Sequence, residues 1–215
     1  PPRHPKTLMA EHYRTQGIIL RKDDIGEADR VFTVFTRDFG KLKLRAVSER
    51  KITSKLRGGL ELFYLSEIEF IQGKTHKTIT DAFPLCSYPV LRSNLGRLRM
   101  MARFAEIADD LIGGQECDEK IWRLLQETLL VLDRSLLEPQ ALKTLAYYFL
   151  WNLLACAGYG PSLSQIASQD RKIAELIETL LLSDTKALRN INMEGVNENL
   201  LQAISQEHLL RVLQN

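Results

Sequence analysis

The spacing of apolar positions along the chain changes once, near residue 86. Before that point hydrophobic residues come in short runs and alternations of strand type. After it they recur every three or four residues, as on a helix face. In the first stretch, Gly17-Ile-Ile-Leu20 and Val31-Phe-Thr-Val-Phe-Thr36 are rich in β-branched and aromatic residues and predict two strands. Asp23-Asp24-Ile25-Gly26 is a turn signal between them. A second turn at Arg37-Asp-Phe-Gly40 leads into residues 41–47. There strict alternation puts Leu42, Leu44 and Ala46 on one face and Lys41, Lys43 and Arg45 on the other. Two more strands are predicted over residues 60–71 and 77–85, joined by a turn at Gln72-Gly-Lys-Thr75. Five short strands, with the longest connection between the third and fourth, predict an oligonucleotide-binding (OB) barrel rather than a sandwich. An SH3-like barrel is the alternative.

Beyond Pro89 the period is helical. Leu91, Leu95, Leu98, Ala102 and Ala105 line one predicted face, which Gly113-Gly114 ends. Further helices are predicted from Asp118 to Leu132, from Pro139 to Ala157, and from Asp170 to Leu182, with a last short one over residues 208–213 capped by Ser205. The fold class expected is therefore α+β, with a five-stranded OB-type barrel over residues 9–85 and an all-helical domain over residues 86–215. Residues 1–8 read as a disordered leader or cloning remnant before a natural start at Met9.

Composition narrows the function classes. There is no run of 18 apolar residues to span a bilayer and no signal peptide, so a soluble cytoplasmic protein is expected. Cys86, Cys117 and Cys156 lie far apart and never at zinc-site spacing, and read as buried thiols. The net charge of +2 hides an asymmetry: residues 1–99 hold 19 Lys/Arg against 11 Asp/Glu, and residues 100–215 hold 10 against 16. A basic first half points to a polyanion, and nucleic acid is the leading candidate.

The densest cationic stretch is Lys41, Lys43, Arg45, Arg50, Lys51, Lys55 and Arg57, with Glu49 as its only acid. On a strand face and the loop after it, these cations would follow a phosphate backbone. Arg21, Lys22, Arg30 and Arg37 add to the set within the barrel. Arg92, Arg97 and Arg99 would extend it onto the first helix, where no acid intervenes between Asp81 and Glu106. Phe32, Phe35, Phe39, Phe63 and Tyr64 could stack on bases, although a small barrel needs most of its aromatics as core. Glu67 and Glu69 share a strand face and Asp109 and Asp110 are neighbours, but neither pair comes with a metal-ligand cluster. His4, His12, His76 and His208 are scattered. No catalytic residue, metal site or cofactor is expected. A nuclease would require clustered carboxylates that this sequence lacks. Tyr147, Tyr148, Phe149 and Trp151 crowd one helix and could form a groove for a partner peptide. A rival reading is thus an adaptor whose helical groove takes an acidic peptide through Arg103, Arg123 and Lys143.

Three opening segments carry a more specific signal: Thr15-Gln-Gly-Ile-Ile-Leu-Arg-Lys22, Gly26-Glu-Ala-Asp-Arg30 and Phe35-Thr-Arg-Asp-Phe-Gly-Lys41. Together with Arg57-Gly-Gly-Leu-Glu-Leu-Phe63 and the run Leu150-Trp-Asn-Leu-Leu-Ala-Cys-Ala-Gly-Tyr-Gly-Pro-Ser-Leu163, they resemble the RecO family of recombination mediators. The resemblance implies an OB barrel followed by a helical domain, acting without catalysis. It implies annealing of complementary strands and help in loading RecA onto gapped DNA, with single- and double-stranded DNA, RecR and the C-terminal tail of the single-stranded-DNA-binding protein as partners. Many members carry a four-cysteine zinc module after the Gly-Tyr-x-Pro stretch. Here residues 162–170 contain no cysteine, so no zinc is expected.

Overall fold

The computed structural model describes residues 11–115, 117–136 and 138–214, so the expected leader and the start at Met9 lie outside it. The chain divides into two compact units, with Ser87 ending the first and Tyr88 opening the second; the short segment Gly114–Cys117 groups with the first.

The first unit is a closed five-stranded barrel in the order β1-β2-β3-β5-β4. Its strands are β1 (His12–Ile25), β2 (Asp29–Thr36), β3 (Gly40–Ala46), β4 (Leu65–Gln72) and β5 (Lys77–Cys86). Four seams are antiparallel, while β3 meets β5 in parallel through Leu44 opposite Lys77 and Arg45 opposite Thr78. This is the OB-type Greek-key barrel and not the SH3-like alternative. Period-2 alternation fills the interior with Ile19, Phe32, Val34, Leu42, Leu44, Ala46, Ile68, Phe70 and Ile79, and Leu60 and Ala82 join them.

Two strand boundaries differ from expectation. The Asp23–Gly26 turn signal is overruled, because β1 stays paired with β2 as far as Ile25 opposite Asp29, and the reversal falls on Gly26, Glu27 and Ala28. Gly26 adopts φ 57°, which glycine tolerates without strain. A bulge at Leu20 lets β1 pair with both β2 and β4 over its 14 residues. At the other boundary β4 begins at Leu65 rather than Leu60. Residues 55–59 form a 3-10 helix, and Phe63, at φ 65°, donates its N–H to the Ile19 carbonyl at 2.8 Å. Gly59 is packed so closely that a Cβ would lie 2.3 Å from the Ala82 carbonyl oxygen.

The second unit holds α1 (Pro89–Ser93), α2 (Leu95–Leu111), α3 (Glu119–Leu132), α4 (Pro139–Cys156), α5 (Leu163–Gln169), α6 (Arg171–Leu182) and α7 (Glu198–Leu213). Asp118, Asp170 and Asn197 cap α3, α6 and α7 by accepting backbone N–H groups with their side chains. The expected first helix is broken at Asn94, whose side chain accepts from the Arg97 N–H and restarts the chain as α2. That restart shifts the phase. Leu95 is exposed, and the buried stripe is Arg97, Met101, Phe104, Ala105 and Ala108. Phe104 stacks on Phe149 of α4 with ring centres 4.2 Å apart. The last helix is longer than expected. It starts after Asn197, so Ser205 is not a cap but a buried residue in mid-helix.

Candidate nucleic-acid interface

One face of the barrel carries a small cleft. It has a volume of about 260 Å³ and is lined by Ile25, Val31, Lys43, Arg45, His76 and Lys77. Ile25 and Val31 make an apolar floor, and the other four place nitrogen-bearing side chains around it. The placement follows from strand register. Val31 lies opposite Arg45 and Thr33 opposite Lys43 across the β2–β3 ladder, and the β3–β5 seam sets Lys77 beside Leu44. Ile25 adjoins the β1–β2 turn and His76 closes the β4–β5 turn, where Gly73 donates to the His76 carbonyl at 3.0 Å. These are the β2–β3 face and the two loops that OB barrels use for oligonucleotides.

The expected alternation on β3 is present. Leu42, Leu44 and Ala46 are buried, whereas Lys43 is exposed and Lys41 and Arg45 are half-buried. The cations are not equivalent, however, because acids remote in the chain fold onto several of them. Asp29 accepts from Arg45 Nη2 at 2.6 Å and Nε at 3.1 Å, and from the Ser48 N–H at 2.7 Å. Asp24 accepts from Arg30 Nε at 2.6 Å and lies 3.6 Å from Arg50 Nε, while Arg30 Nη1 reaches the buried Glu49 at 3.1 Å. Arg21 pairs with Asp23 at 2.9 Å and Lys22 with Glu61 at 3.1 Å. Lys41 also has a partner, and Lys51 acts on Asp29 through space. Among the described residues Lys43, Lys55, Arg57 and Lys77 make no ion pair, nor does Arg37 in the turn at the opposite end of the β2–β3 ladder.

The matched pairs hold the loop after β3. Arg50 donates its N–H to the Ala28 carbonyl and its Nη1 to the Gly26 carbonyl, both within 3.1 Å. The loop is therefore pinned to the β1–β2 turn. The Ser48 N–H, and then Arg45, hold the Asp29 carboxyl below its ordinary range, and Arg30 does the same for Asp24. A carboxylate with a depressed pKa gives its full stabilisation above the ordinary carboxylate range and loses it as pH falls through the depressed value. The Ser48 amide resonance should accordingly titrate with a midpoint below about 3.9, the free aspartate value. A midpoint at or above that value would show that Asp29 does not hold the loop.

Several expected residues lie elsewhere. Arg92, Arg97 and Arg99 belong to the helical unit. Arg92 has a partner there and Arg99 is exposed. Arg97 is 8% exposed and donates Nη1 to the carbonyls of Leu132 at 2.9 Å and Arg134 at 2.6 Å. It satisfies the C-terminal end of α3 and cannot reach a phosphate from there, which corrects its expected place in the DNA track. Three of the five barrel aromatics are core and fall away as stacking faces. Phe32, Phe35 and Phe63 are buried, and Tyr64 is half-buried. Phe39 packs edge-on against Tyr13 and Phe70, with ring centres 5.6 Å away in both cases.

In the helical unit Arg103 pairs with Glu106, Arg123 with Glu119 and Lys143 with Glu198, so none of the three is an unmatched cation. Tyr148, Phe149 and Trp151 are buried, and burial pushes the Tyr148 hydroxyl up to about 12. Those rings form core, not a groove. Cys86 and Cys156 are half-buried, whereas Cys117 is exposed rather than a buried thiol. Residues 162–170 form α5 and its flanks with neither cysteine nor histidine, so this stretch does not fit a zinc ion. Among the described residues no three His, Cys, Asp or Glu side chains gather as metal ligands, and no helix is long and apolar enough to cross a membrane.

Family profiles match most of the chain. The profile for recombination protein O N terminal covers residues 9–88, and that for recombination protein O C terminal covers residues 92–177. The chain belongs to the RecO family. Among similar proteins, the DNA repair protein RecO of Dehalococcoides mccartyi is 37% identical over 166 residues, or 77% of this chain and 64% of its own. Those of Gloeothece citriformis and Roseiflexus are 32% and 31% identical, covering 73% of this chain in each case. The chain spans just under two thirds of the first of these RecO proteins and a little over half of the other two. His76 and Lys77, absent from the expected RecO-type track, come to the cleft because β5 returns beside β3. No local spacing in the sequence carries that information.

Proposed function

We propose that this chain binds DNA on the β2–β3 face of its barrel and acts in DNA repair and recombination by binding rather than by catalysis. What carries the reading is the cleft with its apolar floor and its unmatched Lys43 and Lys77. Cations of this kind hold phosphates without reading sequence, and the affinity they give falls with added salt. An aliphatic floor between them accepts the flat face of a base, although with less gain than an aromatic platform. Annealing follows from the same chemistry, since two strands whose phosphates are partly neutralised repel one another less.

The RecO relatives support the recombination role, and the finer parts of the proposal rest on the family. These are the loading of RecA onto gapped DNA covered by single-stranded-DNA-binding protein, and contacts with RecR and with that protein's C-terminal tail. Work in the cytoplasm at the nucleoid follows from the same role. The adaptor reading through Arg103, Arg123 and Lys143 gains nothing, since each is matched by an acid. The test is fluorescence anisotropy of labelled single-stranded and duplex DNA over a range of salt, followed by annealing of complementary strands. Binding that weakens linearly in log salt, with accelerated annealing, is the expected result; no binding at low salt would remove the proposal.

A further inference from the structure

We propose that Ile52 is a wedge that enters between neighbouring bases of the DNA held on the barrel, an inference that rests on the DNA-binding reading above. Ile52 is 91% exposed, the most exposed of the large apolar side chains in the described chain. An isolated exposed aliphatic residue is ordinary on a protein surface. This one differs in how it is held. Ser54 donates its N–H to the Lys51 carbonyl at 3.0 Å, so Ile52 and Thr53 form the tip of a tight turn. Behind the tip, Lys51 donates to the Ser48 carbonyl at 3.1 Å and Arg50 donates to the Ala28 carbonyl at 3.0 Å. Ser48, at φ 55°, is fixed by Asp29, and the buried Glu49 is fixed by Arg30. The loop is thus anchored at three consecutive residues before it presents Ile52 to solvent. A β-branched side chain on such a support has little conformational freedom to lose on insertion.

Its surroundings select the occupant. Arg50 and Lys51 precede the tip with Asp24 and Asp29 behind them, and Lys55 and Arg57, which make no ion pair among the described residues, follow it, with Glu49 turned inward and buried. An apolar point set among cations fits a polyanion with apolar layers inside it, which is a stack of bases behind phosphates. Proteins that kink DNA insert isoleucine, leucine and similar side chains between base steps in this way. The loop that carries the wedge starts beside the cleft, because Arg45, which lines it, and Ser48, which starts the loop, share the Asp29 carboxylate. A strand lying across Lys43 and Lys77 would meet Ile52 at one end and be unstacked there, leaving its bases open to pair with a complement.

The test uses single-stranded DNA carrying 2-aminopurine, whose fluorescence rises on unstacking, titrated to saturation with the full chain. The unmodified chain should raise the signal about twofold or more, and Ile52→Ala should lose most of that rise while its Kd stays within about threefold. Because Ile52 touches little, the substitution leaves the fold in place. Ile52→Trp gives a second readout: its emission should be quenched on binding, against a constant background from Trp122 and Trp151, which are 6% and 0% exposed. A full 2-aminopurine rise with Ile52→Ala at saturation would overturn the wedge while leaving DNA binding intact. If the unmodified chain shows no salt-dependent binding, the DNA reading itself fails and the wedge falls with it. Vesicles of phosphatidylglycerol and phosphatidylcholine complete the experiment: retention that depends on Ile52, without a change in 2-aminopurine, would assign the tip to a membrane surface and overturn the proposal.

Discussion

Exchanging Lys43 and Lys77 together for glutamate lowers the affinity for single-stranded DNA by on the order of 100-fold at moderate ionic strength. The two lysines come from β3 and β5 and face the same cleft, and among the described residues neither makes an ion pair. Each released phosphate contact should flatten the plot of log affinity against log salt by about 0.7, so the double variant loses about 1.4 from the slope. The fold should be unaffected, since charges of this kind on an outer face contribute little to stability. Lys120→Glu with Lys186→Glu supplies the control, with the same change of charge at exposed positions in the helical unit. Equal losses in the two double variants would show that the overall charge of the chain matters and that the cleft does not.

The second large effect is on stability. Arg97→Ala should destabilise the helical unit by about 3 kcal/mol, because it removes a buried guanidinium and leaves the Leu132 and Arg134 carbonyls without their donor. A loss of that size corresponds to a fall of about 10 °C in Tm. The neighbouring Asp133 accepts from the N–H groups of Val90 and Leu91 and so ties α1 to the end of α3. Arg97 and Asp133 therefore serve one junction from opposite charges. Arg99→Ala, two positions away and exposed, should change stability by no more than about 0.5 kcal/mol. DNA affinity per folded molecule should be the same for Arg97→Ala as for the unmodified chain. A selective loss of binding would return Arg97 to the DNA track.

The strand alternation of residues 41–46 and the helix starts at Asp118 and Asp170 were legible because they depend on near neighbours in the chain. Period 2 separates Leu42 and Leu44 from Lys43 whatever the rest of the molecule does. The acids that match Arg30, Arg45 and Arg50 were not legible, since Asp24 on β1 reaches Arg30 on β2 and Arg50 in the loop after β3, and Asp29 on β2 reaches Arg45 on β3. Counting seven cations against Glu49 alone therefore overstated the free charge. Helix phase failed at Asn94 for a different, local reason. A one-residue cap reset the stripe, moving Leu95 outward and Arg97 inward, although both spacings read as helical. Ser205 looked like a cap because it precedes a leucine-rich run, but Asn197 had already begun that helix. Lys77 and His76 could be found only after strand order was known.

The β3–β5 seam joins its strands through two residue pairs, beside the longer antiparallel ladders, and it brings together segments far apart in the chain. Contacts with such separation carry a loop-closure cost that the hairpin ladders do not, and two residue pairs return little against it, which favours late formation during folding. A nascent chain that has emerged only through β3 already carries Lys41, Lys43 and Arg45, but it has no cleft to put them in. The binding face thus comes into being with the last strand of the barrel, so unfinished chains offer scattered positive charge to nucleic acid rather than the finished grip.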